Sequence, residues 1–214
     1  MNEDDKQQAF MSALVTEHFV LQSARGVATS EANGRAALYL TSLTGALVAL
    51  GFVAQVGEQF DAFAAAVLPA LFLLGEFTYV RLLETSIEDW LLQRSIQRIR
   101  RYYLALVPEA AAFFGDADVD RKPSAAMYRS SAQLLFTAAS MVAAINAIFG
   151  GAGVTLLVRA LDLAGLATAA LAGVAVAVLV FGLHLWHQRR RFGQTVPGLA
   201  GADAGGATAS QLRR

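Results

Sequence analysis

The sequence predicts an all-α protein, an integral membrane four-helix bundle with a cytoplasmic helical extension. Three observations predict it. Four stretches are long and apolar enough to cross a bilayer core, which needs roughly 20 residues of helix. All but one of the 17 Lys and Arg residues, the exception being Arg159, fall on one side of the path those stretches define. Aromatic residues followed by a cation, Tyr79 before Arg81 and Trp186 before Arg189, stand where two spans leave the membrane.

Residues 1–35 read as a cytoplasmic N-terminal helix. Its apolar members from Gln7 to Thr29 are Phe10, Met11, Leu14, Phe19, Leu21 and Val27, but Glu17, His18 and Arg25 interrupt any clean stripe. The segment Ser30 to Gly34 fits either a break or a helix running straight into the first span. Residues 36–80 form the first transmembrane hairpin, with spans at 36–56 and 62–80 and a short turn that carries Glu58 and Asp61 but no cation. Pro69 should kink the second span, because proline removes one helical hydrogen bond.

Residues 81–131 are the cytoplasmic helical region. No Gly or Pro occurs between Arg81 and Val107, so the second span should continue as helix well beyond the membrane; Pro108 then suits a new helix start. Leu83, Ile87 and Trp90 share one face, whereas Leu92, Ile96, Ile99, Tyr103 and Leu106 take the opposite one. A stripe that changes sides suggests two successive packing partners, or a kink near Leu91. The connector holding Asp116, Asp118 and Asp120 lacks the glycine and glutamate of a calcium loop and reads as solvated. Residues 132–187 form the second hairpin, with spans at 132–150 and 163–186, and residues 188–214 a basic, disordered cytoplasmic tail.

Both termini are therefore expected in the cytoplasm, and the alanine-rich, cysteine-free composition suits a bacterial inner membrane. The absence of cysteine excludes disulfides, thiolate catalysis and cysteine metal sites. An acidic start without a basic region or short apolar core argues against a cleaved signal peptide.

Glu76 is the residue that most demands an explanation. A carboxylate inside a span costs roughly 2.5–3.5 kcal/mol near mid-membrane and less toward the edge, so it seeks a partner, water or a proton. Candidates at similar depth on other spans are Arg35, Gln133 and His184. Together they would make a polar gate, or a lock that fixes helix packing. His184 and His187 stand three apart, but a metal would need further ligands, and the remaining histidine, His18, belongs to the N-terminal helix. No metal and no cofactor are expected.

Arg94, Arg98 and Arg101 stand too far from the bilayer for its headgroups to attract them strongly. They are candidates for a subunit contact or an anionic small ligand. Nucleic acid is not expected, since no recognised motif accompanies them. Small residues at every fourth position, Gly165, Ala169, Gly173 and Ala177, suit close helix packing within one chain or between copies, as do Ala139, Ala143, Ala147 and Gly151. Ser140 and Asn146 read as hydrogen bonders between helices.

No hydrolase, zinc-protease or lipid-transfer motif occurs, so no enzyme is expected. In outline the chain is similar to small bacterial effectors of the SLATT type, which pair membrane helices with a cytoplasmic helical part; no motif carries that likeness to individual residues. The expected function is a small homo-oligomeric channel-like or pore-forming protein, gated through its cytoplasmic helices. The alternative is a membrane adaptor or sensor that scaffolds a cytoplasmic partner without transport. Its expected partners are the lipid bilayer, further copies of itself, and a cytoplasmic protein or small anion.

Overall fold

The computed structural model describes residues 2–57, 59–110, 112 and 137–211, with side chains through Gln194. Among the described residues the fold is all helical, with four long α-helices and a short 3-10 turn. They are α1 (Glu3–Val56), α2 (Phe60–Leu106), α3 (Ala138–Ala160) and α4 (Leu166–Gln211), with the 3-10 turn at Pro108–Ala110. Each of the four contains a segment long and apolar enough to cross a membrane. The connector holding the three aspartates, the start expected for the third span at 132, and Gln133 lie outside the described residues.

Helix α1 is unbroken through Ser30 to Gly34, which resolves the first alternative in favour of continuity. Gly57 ends the hairpin's first arm by taking a left-handed φ of 84°, and its amide donates to the Val53 carbonyl at 3.3 Å. Glycine meets no steric penalty there. Helix α2 passes through Pro69 and through Leu91 without ending. Pro108 then opens a 3-10 turn, and the helix expected to start there falls largely outside the described residues.

The third span needs correction. It was expected over 132–150, but the helix runs on to Ala160. Gly150, Gly151 and Gly153 lie inside α3, where packing overrides their weak helix propensity. A Cβ on Gly151 would stand 2.5 Å from the Gly173 carbonyl oxygen and 2.9 Å from the Ala177 methyl, so only glycine lets α4 come this close. Thr155 Oγ1 donates to the Gly151 carbonyl at 3.1 Å and also lies 3.3 Å from that of Ala169. Gly165, by contrast, precedes α4 and faces open space.

The turn from α3 to α4 is a Schellman motif: Leu163 N–H donates to Val158 O at 3.1 Å and Asp162 N–H to Arg159 O at 3.0 Å. Asp162 takes the left-handed position with φ 50°, usually filled by glycine.

The tail needs a second correction. Disorder was expected from residue 188, but α4 continues through the arginine run to Gln211. Gln188 and Phe192 are 1% and 3% exposed, one and two turns beyond His184 on the same face. Hydropathy ended the span at Trp186, while helix formation did not stop there because Arg and Gln are good helix formers.

The chain divides into two compact units. Unit 1 is Met1–Asn33 with Glu84–Ser124, and unit 2 is Gly34–Leu83 with Ala125–Arg214. In unit 1 the early part of α1 lies antiparallel to the late part of α2. Arg25 meets Asp89 through two bonds of 2.7 and 3.3 Å, and Phe10 packs edge-on against Tyr102 with ring centres 5.5 Å apart. In unit 2 small, polar and some large apolar side chains are buried together, yet many large apolar ones also point outward; Leu38 is 71% exposed and Phe77 72%. Water would penalise that arrangement by about 25 cal/mol for each Å² of apolar surface, whereas lipid would not.

Candidate functional site

Glu76 is held from two other helices of unit 2. Asn146 Nδ2, on α3, donates to Glu76 Oε1 at 2.9 Å. His184 Nε2, on α4, stands 3.0 Å from Oε1 and 3.1 Å from Oε2. Of the three partners that depth suggested, His184 touches Glu76; Gln133 lies outside the described residues, and Arg35 is half-buried on α1.

The geometry around His184 dictates how many protons the cluster holds. His184 Nδ1 lies 2.7 Å from the Val180 carbonyl, which can only accept, so Nδ1 carries a hydrogen. If Nε2 also donates to Glu76, the ring is an imidazolium facing a carboxylate. If Nε2 is bare, the hydrogen between them must belong to Glu76. Either way one shared proton sits between the two side chains, and the pair is neutral overall.

Tyr79 is one turn from Glu76 and locks the ring in place. Its hydroxyl donates to the His184 carbonyl at 2.7 Å, and its ring meets the imidazole edge-on at 4.4 Å. His184 is thereby fixed at both ends, with its side chain 7% exposed, while Glu76 remains 33% exposed. Glu76 is thus the most accessible member of the cluster.

The same cluster depends on a glycine. A Cβ at Gly75 would overlap the Asn146 side chain, so Gly75 makes the seat from which Asn146 reaches Glu76. Asn146 is fully buried and its Oδ1 has no hydrogen-bond partner among the described residues; the same is true of the hydroxyl of Tyr39 on α1, which lies within electrostatic reach of Glu76. A buried polar atom without a partner costs about 1–3 kcal/mol, so this region is held at some expense.

One turn further along α4 is a second polar knot. Ser140 Oγ donates to Gln188 Oε1 at 3.1 Å, Gln188 Nε2 donates to Thr137 Oγ1 at 3.2 Å, and the same Thr137 oxygen caps α3 by accepting from Ser140 N–H at 3.2 Å. Polar groups therefore line the α3–α4 contact from Asn146 to Gln188. Ser140 and Asn146 were expected to bond between helices; Gln188 and Gly75 were not singled out. The signal for Gln188 was its spacing of four from His184, hidden by the neighbouring arginines.

The remaining candidates lie elsewhere. Pro69 lines an apolar cleft of about 430 Å³ between α2 and α3, with Leu68, Phe72, Phe149 and Gly153. Ala169, Gly173 and Ala177 belong to the α3–α4 contact. In unit 1, Arg94 stacks over Trp90 at 5.1 Å, and Arg98 and Arg101 are exposed. Among the described residues no group of three or more His, Asp and Glu side chains is placed to hold a metal ion.

No protein-family profile, curated protein or solved structure matches the chain.

Proposed function

We propose that the chain is a four-span protein of the cell membrane, with both termini in the cytoplasm, whose copies assemble into a channel-like pore gated through the cytoplasmic helices. The observation that carries this reading is Glu76, a carboxylate on an apolar helix, hydrogen-bonded from two neighbours and still one-third exposed. A purely structural lock would be expected to cover its charge. The large apolar side chains outside unit 2 support lipid as the solvent, and the one-sided distribution of cations supports the orientation. A bacterial inner membrane fits the composition.

Four helices enclose little room for a path of their own, and the cleft beside Pro69 is lined almost wholly by apolar side chains. A conducting path would therefore run between copies, past the open side of Glu76. Purified protein in liposomes should pass ions, and Glu76→Gln should alter selectivity or the pH dependence of the flux. Absence of flux under every condition, with Glu76→Gln lowering only thermal stability, would reduce the cluster to a packing lock.

The adaptor reading draws support from Arg98 and Arg101, exposed cations on the cytoplasmic part of α2. It requires crosslinking to recover a distinct cytoplasmic protein, and Arg94→Glu with Arg98→Glu to abolish that capture. Recovery of self-crosslinks alone would remove it.

A further inference from the structure

Unit 1 presents two heptad-spaced seams that its own helix pairing leaves outside. On α1 the covered positions are Met11, Leu14, His18, Leu21, Arg25 and Ala28, spaced three and four apart as in a coiled coil. A second series with the same spacing runs beside it: Ala13, Glu17, Val20, Ala24, Val27 and Glu31. Val20 is 56% exposed and Val27 64%, so two β-branched side chains of this series face outward. They floor a groove of about 440 Å³ whose rim includes Glu31 and Glu88. On α2 the corresponding outer series is Leu91, Arg94, Arg98, Arg101 and Ala105. One seam is apolar and acidic, and the other is basic.

Their heights agree. The Arg25–Asp89 and Phe10–Tyr102 contacts fix the antiparallel register of the two segments. That register puts Glu17 level with Ile96, about 3 Å along the axis from Arg98 at 1.5 Å per residue. Glu17, Arg98 and Arg101 form no hydrogen bond or ion pair among the described residues, and all three are exposed. Counted at about 100° per residue, the α1 seam lies about 110° round from its paired face and the α2 seam about 160° round from its own, so the pairing within unit 1 covers neither.

We propose that the α1 seam is the docking surface for the α2 seam of a second copy of this chain, with Glu17 meeting Arg98 and Arg101 across the contact. The proposal rests on the self-association in the pore reading and names the surface that accomplishes it. Because the two seams are unlike surfaces on different helices, the contact is heterologous, head-to-tail. A head-to-tail contact leaves one unused seam at each end and so propagates until a ring closes. The exposed valines supply the apolar centre, and the charges set register and exclude the like-with-like pairing of two basic seams.

The absence of cysteine makes the test direct. Protein carrying both Glu17→Cys and Arg98→Cys, oxidised in its membrane, should give a ladder that extends beyond the dimer on a denaturing gel. A mixture of the two single variants should give dimers only. No ladder from the double variant, or dimers from either single variant alone, would overturn the proposal. Charge reversal supplies a second measurement: Glu17→Arg should lower the oligomer recovered in detergent, and Arg98→Glu added to it should restore the oligomer. Failure of that restoration counts against the contact. A chain that conducts as an oligomer without the ladder sinks this interface and leaves the pore reading intact; a chain that is monomeric in the bilayer sinks both.

Discussion

Two carboxylates in this molecule meet cationic or ionisable partners on another helix, and their surroundings make them different objects. Asp89 pairs with Arg25 in unit 1, where both side chains are about one-third exposed, at 35% and 32%. Glu76 pairs with His184 in unit 2, where the imidazole is 7% exposed and a second helix adds Asn146. The first pair can exchange its contact for water at little loss. The second cannot, because His184 has no water to turn to and its other nitrogen is already committed to Val180. A contact of similar length is thus nearly neutral in one place and structural in the other.

The comparison is best tested by removing one partner from each pair. His184→Leu should leave Glu76 without its proton-sharing neighbour and cost about 3 kcal/mol, within the range for a broken buried pair. Thermal or denaturant unfolding in detergent would read this as a large drop in midpoint. Gly75→Ala should come next, at about 1–3 kcal/mol, since its methyl would displace Asn146 from a well-packed seat. Asn146→Ala combined with Gly75→Ala should recover part of that loss, and no recovery would mean the glycine serves another contact.

Asp89→Asn should cost less than about 1 kcal/mol, and the effect should shrink further at high salt, as expected for a partly solvated pair. If it matched His184→Leu, the contrast between the two units would be wrong. The smallest change is expected at the turn between α3 and α4. Asp162→Gly should stabilise by up to about 1 kcal/mol, because glycine takes the left-handed conformation without a Cβ clash.

The parts of the fold that were legible in sequence are those set by local composition. Each of the four apolar runs became a helix, since hydropathy acts over neighbouring residues, and the stretch from Arg81 to Val107 without Pro or Gly carried α2 onward. The Glu76–His184 contact was also partly legible, because depth along two spans can be counted from their ends. Asn146 and Gly75 were harder. Their importance arises only where two helices cross, and nothing in the residues beside them marks the crossing. Gln188 was lost in a run of arginines that sets charge but says nothing of helix face. The outer seams of unit 1 lay in view throughout. They became readable only once the register of α1 and α2 was known, because the inner seam must be identified before a second one can be recognised.

The single proton shared by Glu76 and His184 bears on what could actuate such a cluster. Moved from one atom to the other across their 3.1 Å contact it travels only about 1 Å, roughly a thirtieth of the hydrocarbon thickness, so 100 mV of membrane potential would do less than about 0.1 kcal/mol of work on it. Electrical fields therefore have almost no leverage at this point. Removing or adding a proton, by contrast, changes the charge of the cluster by a full unit.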